Sequence, residues 1–126
     1  MRMVVITILI LAVFFASSLY AGYYVKTSAQ EIDNKIKQLE ANVEKEDWQK
    51  AKDNIDKLME KWEGTKKSWL TFLEHSEIDN IDIVLARLEK FVEIEENTEA
   101  SGEIAELKFL IKHIVEKEAF RMVNIL

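Results

Sequence analysis

Apolar and polar positions divide the chain into two regimes. From Met3 to Val25 there is no charged residue; beyond that point apolar residues recur three and four apart, with acids and bases between them. The first stretch covers 23 residues, which at ~1.5 Å per helical residue reaches about 35 Å and exceeds the ~30 Å of bilayer hydrocarbon. Tyr20, Tyr23 and Tyr24, followed by Lys26, form an interfacial belt at its far end. A buried core helix of this length would show a polar and charged side, whereas this run has no charge and, tyrosines apart, only Thr7, Ser17 and Ser18 as polar side chains. The pattern predicts a single membrane span, residues 1–27, acting as anchor or uncleaved signal sequence. Arg2, the apolar Met3–Ala16 and the small Ala16-Ser17-Ser18 also fit a cleaved signal peptide. Continuation of the run through Leu19 to Val25 favours the retained anchor. Its layout places the remainder of the chain outside the cell membrane, whereas Lys26, Lys35 and Lys37 on the far side oppose that orientation. The layout is preferred, because long domains translocate largely regardless of charge.

Residues 28–126 read as a helical bundle domain. Ser28-Ala29-Gln30-Glu31 has the form of a capping box, followed by a stripe at Ala29, Ile32, Ile36, Leu39 and Val43. Gly22 and Val25 continue the same phase backwards, and the alternative is a helix running unbroken out of the span with Ser28 as a surface residue. Asp47 is an N-cap for a second helix whose packing seam is the strongest pattern in the chain: Trp48, Ala51, Ile55, Leu58, Trp62, Thr65, Trp69 and Phe72. All three tryptophans lie on it, and helix-spaced tryptophan is more often packing than a ligand groove. A third helix, capped by Ser76, uses Ile78, Ile81, Leu85, Leu88 and Val92; a fourth, capped by Asn97 and Thr98, uses Ile104, Leu107, Ile111 and Ile114. Short connections make neighbours antiparallel. The fold class is all-α: an N-terminal transmembrane helix followed by an antiparallel up-down bundle of three to four helices.

Composition removes alternatives. The chain of 126 residues has no proline, three glycines and no cysteine, which disfavours an all-β fold and eliminates disulfides, thiolate zinc sites and cysteine nucleophiles. All 23 acidic and 16 of the 17 basic residues follow Val25, leaving that part at −7. A net acidic domain without a basic block is a poor nucleic-acid binder.

Candidate chemistry concentrates where the second helix turns into the third. His75, Glu77 and Asp79, with His113 from the fourth helix, are ligand types for a divalent transition metal. The Glu-x-x-His spacing of di-iron bundles and the zinc-protease pattern are both absent, and no metal or other cofactor is expected. Turn chemistry accounts for the same residues: His75 at a helix C-terminus, Ser76 as N-cap, Asp79 at the capping-box position, Glu77 adding negative charge in the first turn, and Asp82 solvated. A helical hairpin about Asn97 brings residues whose numbers sum to about 194 level, which sets Glu116–Glu118 beside the turn. The expectation is a polar network of Glu74, His75, Ser76, Asp79 and Glu118, in which His75 or Asp79 meets a partner from Ile111–Glu118.

The segment Trp69-Leu-Thr-Phe-Leu-Glu-His75-Ser-Glu-Ile-Asp79, with Leu85-Ala-Arg-Leu88, Glu106-Leu-Lys, His113-Ile and Asn124-Ile-Leu126, resembles the family called domain of unknown function 4363. The resemblance implies small, membrane-associated helical proteins of Gram-positive bacteria with no established activity. The functional expectation is a non-enzymatic interaction or accessory protein of the cell envelope, crossing the membrane once and holding its helical domain outside. Its partner is a membrane protein, and homo-oligomers are compatible. The alternative is an extracytoplasmic domain that senses a ligand, a metal or pH and acts through a partner.

Overall fold

The computed structural model describes residues 1–125, and all of its regular structure is helical: α1 (Arg2–Glu44), α2 (Trp48–Trp69), α3 (His75–Glu93) and α4 (Asn97–Ile125). α1 packs against α2 and α4, and α3 against α2 and α4, so the four helices close an antiparallel up-down bundle.

α1 is one helix of 43 residues with two environments along it. No side chain from Arg2 to Tyr24 is buried, whereas Val25, Ser28, Ala29, Ile32, Ile36, Leu39 and Val43 are. The change coincides with the end of the uncharged run, and the helix crosses it without a break. Ser28 therefore caps nothing, nor is it a surface residue. It occupies a core position at 6% exposure, in the phase set by Val25 and Ile32.

The buried positions of α2, α3 and α4 follow the sequence stripes closely. Ala51, Ile55, Leu58, Trp62, Thr65 and Trp69 face the core from α2, and Ile78, Ile81, Leu85, Leu88 and Val92 from α3. Ala100, Ile104, Leu107, Ile111 and Ile114 complete it from α4. Trp48 and Phe72, the ends of the seam, are only partly buried. Asp47 caps α2 by accepting a hydrogen bond from the Lys50 amide at 3.3 Å.

The α1–α2 and α3–α4 turns lie at the same end of the bundle and share one construction. In the first, the Asp47 amide bonds Asn42 O and the Glu46 amide bonds Val43 O; in the second, the Glu96 amide bonds Phe91 O and the Glu95 amide bonds Val92 O. These are Schellman closures, which place one residue in the left-handed region. Here that residue is a glutamate each time, Glu46 with φ 54° and Glu95 with φ 62°. Both side chains reach across the bundle, Glu46 to the Asn97 amide nitrogen at 3.2 Å and Glu95 to Lys52 at 3.0 Å.

Candidate functional site at the joint between α2 and α3

The opposite end of the bundle holds the Trp69–Asp79 segment. Helical hydrogen bonding stops at Trp69 and tightens: the Thr71 amide bonds Ser68 O and the Phe72 amide bonds Trp69 O, each three residues back. Glu74 then adopts an extended conformation as N-cap of α3 without a side-chain capping bond. His75 is thus the first residue of α3 and not the last of α2, and Ser76 lies within the first turn instead of capping it. The burial pattern explains the shift. Leu73 and Ile78 are both buried and occupy the positions before the cap and at the fourth helical residue that a hydrophobic staple uses. A cap at Ser76 would give those two positions to His75 and Asn80, which are exposed.

The capping-box position accordingly belongs to Glu77, not Asp79. Lys117 of α4 bridges Glu77 at 3.1 Å and Glu74 at 3.2 Å. These two bonds, Glu77 first, raise the Lys117 pKa above the usual lysine value. Next to it Glu118 is mostly buried, with 14% side-chain exposure. Burial raises its carboxyl above the ordinary value, the nearby Glu77 charge adds to this, and Arg121 opposes it. Arg121 also donates to Phe72 O at 3.5 Å. The hairpin register thus brings the level of Lys117 to the joint. The residues that meet there are Glu74, Glu77, Lys117, Glu118 and Arg121. His75, Ser76 and Asp79 are exposed and make no hydrogen bond or ion pair with Ile111–Glu118 among the described residues.

Two tryptophans fasten the joint from beneath. Trp69 Nε1 donates to Ser28 Oγ at 2.8 Å, and Ser28 in turn donates to Tyr24 O at 2.7 Å. Trp62 Nε1 donates to Asp82 Oδ1 at 2.7 Å, and Lys66 pairs with the other carboxylate oxygen at the same distance. Asp82 is therefore a structural acceptor and not a solvated acid, and its hydrogen bond is the main reason that Lys66 titrates above its ordinary value. The two indoles meet edge to face at 5.6 Å between centroids, and Phe72 meets Tyr24 likewise at 6.4 Å. With Trp62 at 2% and Trp69 at 0% exposure, both indoles are core packing.

The metal-ligand candidates do not assemble. Glu77 is engaged by Lys117, His113 stacks on Phe109 on the open face of α4 at 6.1 Å, and His75 and Asp79 face solvent. Among the described residues no three His, Asp or Glu side chains are placed to hold a metal ion. Beside the joint an open cleft of about 600 Å³ is lined by Phe14, Tyr20, Phe72, Glu118, Arg121 and Met122, among others.

Sequence reasoning gave Ser28 and Asp82 other roles, reached Lys117 only through the level of Glu116–Glu118, and missed Arg121. A usable signal existed for Ser28 and Asp82: each buried indole N–H demands an acceptor, and Ser28 is a hydroxyl in core phase on α1. Of the motifs quoted for the resemblance, Arg87 forks onto Glu103 and Glu106 at 2.9 and 3.0 Å, and Lys108 reaches Glu40 at 2.7 Å. They are braces between helices.

Residues 19–125 match the family described as domain of unknown function (DUF4363). The match covers most of the chain, and the chain belongs to that family. No curated protein and no solved structure matches it.

Proposed function

From membership of a family to which no activity is assigned, we propose that the protein is a membrane-tethered interaction module. α1 crosses the cell membrane once, and the bundle presents its surface to a partner protein in the bacterial envelope, outside the cytoplasmic membrane. The observation that carries this reading is α1 itself. From Met3 to Tyr24 it is an apolar helix with no residue buried against the rest of the chain, and an apolar surface of that extent requires a covering solvent or partner. The same helix then supplies one quarter of the bundle core, so anchor and module are one rigid piece. The surface for a partner lies on α4, where Phe109 is 65% exposed beside His113. The module works by contact and not by chemistry: the charged side chains at the joint are engaged in pairing helices.

Crosslinking in native membranes, followed by identification of the captured chains, tests the proposal. The expected result is carbonate-resistant membrane association and one recurrent partner whose yield falls when Phe109 is replaced by Glu. Release of the protein by carbonate, or crosslinks unaffected by Phe109→Glu and scattered over many chains, would overturn it.

A further inference from the structure

Two independent rulers meet at Gly22. The first is the span: counting ~20 helical residues for the hydrocarbon thickness from Met3 ends at Gly22, immediately before Tyr23, Tyr24 and Lys26. The second is packing. The Met122 thioether fills the space that a Cβ on Gly22 would occupy, so the missing side chain fixes the register of α4 against α1. Because the two helices are antiparallel, Phe120 comes about level with Tyr24 and Val123 about level with Ala21. Both are bare, Phe120 at 68% and Val123 at 69% exposure. At three residues apart they share one side of the helix. Tyr20 and Tyr23 on α1 are open at the same height, at 70% and 69%. After Arg121 the sequence Met-Val-Asn-Ile-Leu has no charged side chain.

We propose that the end of α4 seats in the bilayer interface, Phe120 and Val123 entering the lipid beside Tyr20 and Tyr23, so that the protein touches the membrane with two helices. This rests on the reading of α1 as a span. A lipid surface is the occupant because the depth is set by the span and because Met122, Val123 and Asn124 carry no charged side chain. Arg121, with 61% of its side chain exposed, stands where a long cationic side chain keeps its head in water while its stem lies along apolar surface. The contact is apolar, so neutral lipid suffices. It would also fix the tilt of the bundle, because α1 alone leaves a single-helix pivot at the membrane.

Since the chain has no cysteine of its own, single spin labels report depth cleanly. Val13→Cys, Phe109→Cys, Phe120→Cys and Val123→Cys are all at exposed positions, and each full-length variant is placed in phosphatidylcholine vesicles. Collision with oxygen is then compared with collision with an aqueous nickel chelate. The expected result is that positions 120 and 123 follow 13, with a several-fold excess of oxygen over nickel, while 109 shows the reverse. If 120 and 123 follow 109 while 13 reads lipid, the span stands and this inference falls. If 13 itself reads water, both fall. Shielding of 120 and 123 from both reagents would mean that protein, such as a second copy, covers the face, and would also overturn it.

Discussion

An indole ring brings a large apolar surface and one N–H that a helical interior cannot satisfy from its own hydrogen-bonded backbone. Trp69 solves this with Ser28 and Trp62 with Asp82. In both cases the acceptor lies on another helix, so each bond also sets a register between helices. Ser28→Ala leaves the Trp69 N–H buried without a partner, and a loss of ~1–3 kcal/mol is expected. Adding Trp69→Phe in that background should cost less than Trp69→Phe alone, because the polar group is then already orphaned. Urea unfolding of the four proteins in detergent, followed by circular dichroism, gives the coupling directly. These pairings were hard to read in the sequence for a simple reason. Spacing identifies which face a residue occupies, whereas a hydrogen bond between residues 41 apart depends on how two helices rotate against each other.

At the scale of elements, the interior of every helix was legible, as was the Asp47 cap of α2, while the start of α3 was not. Three-and-four spacing located the buried residues of α2 and α3 nearly one for one, because burial of apolar side chains selects the face of a helix. The start of α3 was misplaced because a serine was given more weight than the apolar pair around it. Burying Leu73 and Ile78 outweighs a side-chain cap worth ~1 kcal/mol. That shift moved the working acids from Asp79 to Glu74 and Glu77 and left His75 in solvent. The clamp these acids form with α4 has a pH signature centred on Glu118. Its carboxyl titrates above the ordinary value in the folded protein, so the folded state binds this proton more tightly than the unfolded chain does. Its contribution to stability is therefore lost as pH rises through the folded pKa and gained as pH falls toward the ordinary carboxyl value of 4.5. Glu118→Gln should raise or preserve stability at neutral pH. It should also flatten the profile just above pH 4.5 relative to wild type; thermal unfolding across that range compares the two.

For the whole molecule, class, order of elements and the apolar span all follow from the hydropathy pattern, while the closing of α4 onto α1 does not. Nothing in a list of stripes says that the last helix returns to the first; that arises from three short turns and a shared core. One feature of this arrangement, the unbroken α1, has a mechanical meaning. It contains no proline, and its one glycine is held by Met122, so it behaves as a shaft of about 65 Å at ~1.5 Å per residue. A shaft transmits rotation. On the reading of α1 as a span, whichever side of it faces a membrane partner, a fixed side of the bundle faces the same azimuth, because each helical residue advances it by ~100°. Two alanines inserted between Phe15 and Ala16 turn the bundle by about 200° relative to the lower span, and four return it to within about 40°. Partner crosslinking should collapse with two and recover with four, although four displaces the bundle further from the membrane. The reverse order would show that height, and not bearing, is what the shaft conveys.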